Sequence, residues 1–545
     1  KLLQDGIPLS LADGGGDFQA IEPLALRYTE VYRGANALQY GATTLGGAIN
    51  FVSPSGYDAP TYQARFEAGS FGYARGQIST GGIVGDADYF LSLSALRQAG
   101  FRDFSKQKNK RLFGNVGYRL RPRIETRFFL TALETDSELP GNLTKAQLNS
   151  NPRQANALSQ FRNSKRDFPL YRIANRTTFL IQDNWQLDVG LFYSYKDMFH
   201  PITPFRIEQR SEDYGADIRL RHDGELFGRR NIFTFGISPV RGDTDDKRFD
   251  QINFATPFAP TNGALFTQNQ LTATNLDIYA ENQHYVLDDL ALITGIQVSR
   301  ANRKLEDRFT PGAAGNSFDE TYYGLSPKIG LRYELTDRIQ FFGNVSRSFE
   351  PPSFGELSGA QRINVLDEQT ATTFEIGTRG DTDTMRWDLA YYRAWVKDEF
   401  LSLNDASGNA LGTISADETL HQGIEAGFYI DLFERLELRQ TYLWNDFRFR
   451  DDAVFGNNQL AGVPEHVYRA ELVYHTPSGY YIGPNVEWVP GDSPVDHANT
   501  LFAESYAIVG LKAGYRRASG ISVFIEGRNL ADKKYAATTG VITNA

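Results

Sequence analysis

The connections between the strand-like segments of this 545-residue chain alternate between short and long from about residue 61 onward. The short ones have two to four residues, as in Asp183-Asn184, Thr336-Asp337-Arg338 and Thr476-Pro477-Ser478-Gly479. The long ones span 136–170, 198–210, 241–272, 302–320, 350–369, 399–419, 449–464 and 490–502. A soluble sandwich has no reason to keep every long loop on one side, whereas a barrel crossing an outer membrane has tight turns at one end and long loops at the other.

Within the strand-like segments, apolar and polar residues alternate. In 185–195, Leu187 and Leu191 fall on one face, and Asp188 and Ser194 fall on the other. Successive side chains of a strand point to opposite faces, so the apolar set is expected to face lipid and the charged set to face water. The alternative is a soluble antiparallel sheet with one dry face, but the polar face is too charged for the core of a sandwich.

The composition fits a barrel and argues against other classes. The chain has no cysteine, 13% aromatic residues and a mean hydropathy of −0.41. No apolar run approaches 18 residues, which excludes helical membrane spans, whereas a barrel strand needs only about 9–11 residues with one apolar face. The lack of cysteine excludes disulfides and thiolate metal sites. A net charge of −10 argues against nucleic-acid binding.

Twenty-one segments have the pattern of barrel strands. They are 61–69, 72–82, 87–97, 110–121, 123–135, 171–182, 185–197, 211–222, 230–240, 273–286, 290–301, 321–335, 338–349, 370–381, 385–398, 420–432, 435–448, 465–476, 478–489, 503–516 and 519–530. Single-chain bacterial barrels have even strand numbers, and an open edge would leave backbone groups unpaired in lipid. We therefore expect 22 strands, the last following Ala545, around a lumen wide enough to need a plug.

Residues 1–58 lack this alternation and are expected to form part of that plug. They contain the sequence Glu30-Val31-Tyr32-Arg33-Gly34, followed by Tyr40-Gly41, Gly46-Gly47 and Ile49-Asn50. This stretch closely resembles the plug signature of TonB-dependent outer-membrane receptors. Further segments resemble that family's seventh loop, later strands and last strands, in this order: Ser348–Phe354, Thr373–Gly377, Gly423–Glu425, Asp496–Thr500 and Gly527–Tyr535. The resemblance therefore spans the whole chain.

The resemblance implies an all-β fold, a 22-stranded antiparallel transmembrane β-barrel with an N-terminal plug domain in its lumen. Residues 1–58 would be the C-terminal part of the plug, and 59–545 the barrel. The start of the plug, with the TonB box, would precede Lys1, and the last strand would follow Ala545.

The function implied by the resemblance is active import of a ferric siderophore or similar iron chelate across the bacterial outer membrane. The partners would be TonB with its inner-membrane energising complex, the siderophore, and the lipid and lipopolysaccharide around a monomeric barrel. No covalently bound cofactor is expected, and the Fe(III) chelate would be the cargo. Import of cobalamin, a zinc or nickel metallophore or a carbohydrate stays open, while the plug residues disfavour a passive pore.

Candidate ligand-binding residues lie in the long connections and in a Gly-rich turn of the plug. Ferric chelates are commonly anionic, so arginine and aromatic side chains at the outer mouth are chemically suitable. The alternative for each is a charge that only keeps a loop soluble. The candidates are Asp17, Phe18 and Gln19 in the turn, Arg153, Arg162 and Arg166 in 136–170, and His200 and Arg206 in 198–210.

Glu30 and Arg33 have a different expected role. The resemblance places them in an ion-pair network between plug and barrel that could hold or release the plug. The alternative is a local salt bridge without switching.

The sequence gives no indication of an enzyme. It has no Gly-x-Ser-x-Gly elbow and no cysteine nucleophile, and its seven histidines form neither His-x-x-x-His nor His-Glu-x-x-His. Asp243-x-Asp245-Asp246 is similar to the start of a calcium loop but lacks the required Gly and closing Glu. A solvated acidic loop is the simpler interpretation, and no metal site is predicted.

Overall fold

The structure is a computed structural model. It describes residues 1–33, 45–202, 205–250, 263–312, 316–359, 363–404, 410–517 and 520–542. Residues 34–44, which carry Gly34 and Tyr40-Gly41 of the plug-like motif, lie outside the described residues. The chain divides into two compact units: unit 1 is Lys1–Asn282, Gly295–Pro327 and Ser348–Glu368, and unit 2 is Gln283–Thr294, Lys328–Arg347 and Gln369–Ala545.

The N-terminal residues form a small sheet of their own within unit 1. Its strands are β1 (Leu2–Gln4), β2 (Ile7–Pro8), β3 (Tyr28–Arg33) and β4 (Gly47–Val52), in the order β2-β1-β4-β3. β1 and β4 are parallel, and the other two pairs are antiparallel. Two short 3-10 helices, Phe18–Ala20 and Pro23–Ala25, lie between β2 and β3. Residues 1–58 are called the plug segment below.

Most of the remaining chain is extended. The strands are β5 (Tyr62–Gly69), β6 (Tyr73–Val84), β7 (Ala87–Gln98), β8 (Gln107–Arg121), β9 (Ile124–Ser137), β10 (Phe168–Gln182), β11 (Trp185–Pro201), β12 (Phe205–Leu226), β13 (Arg229–Asp250), β14 (Leu265–Tyr285), β15 (Leu290–Asp307), β16 (Phe318–Thr336), β17 (Ile339–Glu350), β18 (Gln369–Asp381), β19 (Met385–Asn404), β20 (Ala410–Phe433), β21 (Leu436–Phe449), β22 (His466–His475), β23 (Tyr480–Val489), β24 (Ser493–Pro494), β25 (Phe502–Ala503), β26 (Tyr506–Arg516) and β27 (Ser522–Gly527).

One large antiparallel sheet contains 21 of these strands in the described residues, which confirms the number predicted from the sequence. The strands follow one another in the order of a barrel, with β24 and β25 left out as a separate two-stranded sheet. Residue pairs are described from β5 and β6 at the start of this order to β26 and β27 at its end. Closure by a strand after Ala545 stays a prediction.

The two ends of the sheet differ, as the alternating connections predicted. Because consecutive strands are antiparallel, the connections β9–β10 and β13–β14 fall at the same end, called here the long-connection end. Two-residue turns such as Asp183-Asn184 and Phe227-Gly228 fall at the opposite, short-turn end. The predicted arrangement of the loops is therefore confirmed.

The predicted bounds of several long connections were wrong, because the strands continue far into them. β12 and β13 are 22 residues long each and form one hairpin, although 198–210 and 241–272 were predicted as loops. The extension lacks apolar alternation but places opposite charges across from each other, Glu208 facing Lys247 and Arg210 facing Asp245. Cross-strand pairs of this kind stabilise a sheet without a lipid-facing side.

In the described residues, three short helices lie in the long connections. They are α1 (Lys145–Ser150), α2 (Ala157–Phe161) and α3 (Phe354–Ser358). Thr144 and Gln147 form a capping box at the N-terminus of α1. None of the helices in the described ranges is long and apolar enough to cross a membrane.

The side chains of the large sheet are distributed inside out compared with a soluble protein. In β10, Arg172 is 2% exposed, whereas the neighbouring Ile173 is 58% exposed. In β11, Asp188 is buried, and Leu191 is exposed. A buried charged face and an exposed apolar face are expected in a transmembrane barrel, because its apolar side chains face the surrounding lipid.

Unit 2 has a separate apolar cluster at its long-connection end. Leu401, Ala416, Phe449 and Leu460 are buried together there.

The Asp496 carboxylate accepts the backbone N–H groups of Thr500 and Leu501 at 2.8 Å each. Fixing the backbone of the 490–505 loop is therefore the observed use of the Asp496–Thr500 motif.

Replacing Gly236 by Ala should destabilise the part of the large sheet that lies in unit 1. A Cβ at Gly236 would lie 2.2 Å from Cε1 of Tyr279, a residue that is 2% exposed. Overpacking of this kind costs about 1–3 kcal/mol. We expect a lower guanidinium midpoint for G236A than for wild type.

The matched control is Gly491→Ala, where a Cβ would meet no described atom within 4 Å. Equal midpoints for G236A and G491A would contradict the packing of Tyr279 on Gly236.

Candidate functional site

The plug segment is held in unit 1 mainly by polar contacts to the strands that surround it, called the wall below. At its short-turn side, Asn115 donates to the carbonyl of Pro54 at 2.8 Å, and the Gly56 N–H donates to Asp88 at 2.8 Å. Near the middle, the Arg172 guanidinium donates to the carbonyl of Pro8 at 3.0 Å. The wall therefore binds the plug backbone directly.

The Asp5 carboxylate belongs to the plug segment itself. The N–H and hydroxyl of Ser53 donate to it, which ties β1 to the residues after β4. Burial raises the pKa of Asp5, and the nearby Arg172 and Arg176 oppose that shift. Arg176 also donates to the Asp5 carbonyl at 3.1 Å.

One group of ion pairs between plug and wall is centred on Glu22. This residue is the N-cap of the second 3-10 helix, and its carboxylate accepts the N–H of Leu24 at 3.0 Å. Its carboxylate also binds the guanidinium of Arg75, accepts the hydroxyl of Ser94, and lies 3.5 Å from Arg111 Nη1. The Glu22 side chain is 3% exposed. Removing one partner of a buried pair costs about 3–5 kcal/mol, because the other charge stays desolvated.

A second buried carboxylate, Asp17, lies nearer the long-connection end. Arg166 Nη2 is 2.7 Å from Asp17 Oδ1, and Lys196 Nζ is 3.0 Å from Oδ2. Both cations lie 5.8 Å from the ring centre of Phe168. Asp17 is therefore tied to the rest of unit 1 by two cations.

Phe18 is presented outward between fixed neighbours. It is 67% exposed, although Asp17 before it is buried in ion pairs. The carbonyl of Gln19 after it accepts Arg111 Nε at 3.1 Å. The short helix that begins at Phe18 is thus anchored on both sides, which leaves the aromatic ring free to make a contact.

His200 and Arg206 lie in an aromatic and cationic cluster close to Arg166. His200 Nδ1 is 2.7 Å from the carbonyl of Lys165, and Lys165 Nζ is 5.2 Å from the ring centre of Phe199. Arg206 Cζ is 4.2 Å from the ring centre of Phe249 and 5.8 Å from that of Phe199. The structure therefore brings Asp17, Phe18, Gln19, Arg166, His200 and Arg206 into one connected region, joined through neighbours in sequence and through these contacts.

Arg153 and Arg162 are placed differently. Arg153 Cζ lies 5.7 Å from the ring centre of Phe71 and 5.6 Å from that of Phe101. Arg162 ends α2, and burial lowers the pKa of its guanidinium. The binding roles of all eight candidates stay predictions.

Glu30 forms its described contact inside the small sheet. Its carboxylate accepts Asn50 Nδ2 at 2.7 Å, across the β3–β4 pair. Arg33 is exposed at the end of β3, opposite Gly47. Their predicted role in coupling plug to barrel stays a prediction.

The anchors that the geometry identifies, Glu22 with Arg75 and Arg111, were missed by sequence reasoning. The available signal was a lone carboxylate in the apolar run Ala20-Ile21-Glu22-Pro23-Leu24, since a buried acid needs a cation. Its two partners are distant in sequence and have no motif. Within the described ranges, no three His, Asp or Glu side chains are grouped so that they could hold a metal ion.

Comparisons with known proteins agree with this architecture. The family model described as "TonB dependent receptor-like, beta-barrel" matches residues 100–530. The ferric-pyoverdine M114 receptor PbuA of Pseudomonas sp. (strain M114) is 22% identical over 98% of this chain and 71% of its own length. The metal-pseudopaline receptor CntO of Pseudomonas aeruginosa is 21% identical over 95% of this chain and 78% of its own.

A solved structure also has the same fold. The ferric citrate transporter FecA, in the unliganded form, superposes with a TM-score of 0.82 at 15% identity. The match covers 98% of this chain and 84% of that one.

Replacing Glu22 by Gln should loosen the plug segment. The substitution leaves two buried guanidinium groups without their carboxylate, at a cost of about 3–5 kcal/mol. We expect faster trypsin cleavage at Arg27 and Arg33 in the purified receptor. The control is Glu134→Gln, which removes an exposed ion pair with Lys110 at 3.0 Å worth about 0–1 kcal/mol. Equal cleavage rates for the two variants would contradict an anchoring role for Glu22.

Proposed function

Because the chain belongs to the TonB-dependent receptor-like β-barrel family, we propose that it imports an anionic ferric chelate of siderophore type. The import crosses the bacterial outer membrane and is energised by TonB. Relatives named as ferric-pyoverdine and metal-pseudopaline receptors support this ligand class. The proposal concerns transport, and no step of it requires catalysis.

The observation that carries the proposal is Phe18, exposed beside fixed cations. Arg166 and Lys196 hold Asp17 immediately before it, and the Arg166 side chain stays 33% exposed. An aromatic ring next to a guanidinium suits a ligand that combines flat donor groups with negative charge. In a barrel of this kind the long-connection end faces outside, so the ligand meets this region first.

The polar interface of the plug segment suits energised release. The anchoring contacts described above are hydrogen bonds and ion pairs that water can replace once the plug moves, and small apolar contacts, such as Ala25 against Phe90 and Phe113, lie beside them. An apolar interface of the same size would instead expose hydrophobic surface to the lumen. Pulling on the plug would therefore open a path while the hydrogen-bonded sheet of the wall stays intact.

Growth of a receptor-deleted strain tests the function. The strain, complemented with the full-length gene, is grown with each candidate as the limiting nutrient: defined ferric siderophores or ferric citrate under iron limitation, cobalamin under cobalamin limitation, a zinc or nickel metallophore under limitation of that metal, and a carbohydrate as the sole carbon source. Rescue by a ferric chelate supports the proposal. Rescue only by cobalamin, a metallophore or a carbohydrate would replace the ligand, and uptake without TonB would replace the mechanism with a passive pore.

Replacing Phe18 by Ala should weaken ligand binding about tenfold. A phenylalanine ring covered by a ligand contributes about 1.5–3 kcal/mol, and 1.4 kcal/mol is a factor of ten. The measurement is equilibrium binding of the rescuing ligand to whole cells. Phe433→Ala is the control, because that ring is also largely exposed but lies at the short-turn end. Unchanged binding in F18A would remove Phe18 from the site.

Replacing Arg33 by Ala should reduce uptake more than binding. The long connections do not contain Arg33, so affinity should stay within a few-fold while energised uptake falls. Arg27→Ala is the control, since Arg27 is an exposed plug residue whose partner Asp58 also lies in the plug segment, at 2.6 Å. Equal losses of binding and uptake in R33A would show that Arg33 acts through folding or ligand contact.

A further inference from the structure

A second cationic pocket lies in unit 2, at the short-turn end. It has a volume of about 370 Å³ and is lined by Arg338, Gln340, Arg379, Gly380, Arg386, Trp387, Asp388, Gly427 and Tyr429. Arg338 lies in the β16–β17 turn, and Arg379, Arg386 and Tyr429 lie within five residues of the short-turn ends of β18, β19 and β20.

The charged residues of this pocket share the polar face of the sheet. Arg386 pairs in register with Tyr429, and Arg379 with Asp388, so each pair points to one side. The neighbouring positions Trp387 and Phe428 form the alternate, apolar face. The cationic side chains are thus on the face that is turned away from lipid.

Two of the three arginines have aromatic rather than acidic contacts. Arg338 forms an ion pair with Asp383 at 2.8 Å. Arg379 Cζ lies 5.6 Å from the ring centre of Phe342, and Arg386 Cζ lies 5.5 Å from that of Tyr429. Within the described chain, neither Arg379 nor Arg386 has a carboxylate oxygen within 4 Å.

We propose that this pocket is a second, exit-side binding site for a small polyanion of carboxylate type. Arg338 is paired with Asp383, which leaves the guanidinium groups of Arg379 and Arg386 against the single lining carboxylate of Asp388, so the lining is positive. The rings of Phe342 and Tyr429 hold Arg379 and Arg386 in place, so less side-chain freedom is lost when an anion binds.

The position gives the site its role, which rests on the proposed import of an anionic chelate. Short turns face the periplasm in outer-membrane barrels, so cargo released from the plug apex would pass this end last. An anion site there would hold the cargo on the periplasmic side and disfavour its return. The volume is large enough for a citrate-sized anion but small for a whole peptidic siderophore, so carboxylate or phosphate groups of the cargo would occupy it.

Equilibrium dialysis of labelled citrate against the purified full-length receptor tests the site at low ionic strength. The variant is Arg379→Gln with Arg386→Gln, and we expect at least tenfold weaker citrate binding. The control is Arg332→Gln with Arg469→Gln, two arginines of unit 2 already paired with Glu334 and Glu487 at 2.8 and 2.7 Å. Citrate binding to the control should stay within twofold of wild type.

A variant of opposite sign covers the case in which the double substitution impairs folding. Asp388→Asn removes the lining carboxylate and should tighten citrate binding several-fold. No citrate binding to wild type, or unchanged binding in both R379Q/R386Q and D388N, would overturn the proposal. The assay measures citrate binding and not uptake. If iron import fails, the citrate result still decides whether the pocket binds anions. If iron is imported but citrate binding is unchanged in the variants, only the proposal of the second site is wrong.

Discussion

The carboxylate of Glu22, buried between Arg75 and Arg111, is the interaction on which the arrangement of unit 1 depends. In unit 1 the plug segment faces a wall that carries many buried charged side chains on this side, such as Arg172 and Asp188, while apolar side chains such as Ile173 and Leu191 are exposed on the other. Charges and hydrogen bonds therefore hold the plug, together with small apolar contacts such as Ala25 against Phe90 and Phe113. Glu22 and Asp17 supply the charges, and backbone carbonyls such as that of Pro8 supply acceptors.

This polar interface connects stability with transport. Removing one partner of a desolvated ion pair is costly while the other charge stays buried. When water enters, however, both charges are solvated and no large apolar surface is exposed. The plug can therefore leave without unfolding of the wall. The anchors also explain how Phe18 is positioned, since the residues on either side of it are bound to the wall. Holding the plug and presenting a ligand contact are thus two results of the same contacts.

The sequence predicted the parts of the fold that follow from periodicity and connection length. The number of strands in the large sheet, the common end of the long connections and the inside-out faces all follow from local patterns. The ends of β12 and β13 could not be predicted, since outside the membrane the alternation disappears and cross-strand charges take over. Among the candidate residues, Phe18 was predicted only because it lies in the Gly-rich turn of the plug. Glu22 was missed because its partners come from β6 and β8, far away in sequence.

Native-state hydrogen exchange of the full-length receptor tests the central claim most directly, that polar contacts let the plug segment open separately from the wall. We expect the amides of β1, β3 and β4 to exchange through an opening of lower free energy than those of β10 to β13. Wall amides should stay protected during that opening. Exchange of plug and wall amides at one common free energy would contradict the account, because the plug would then be released only when the wall unfolds.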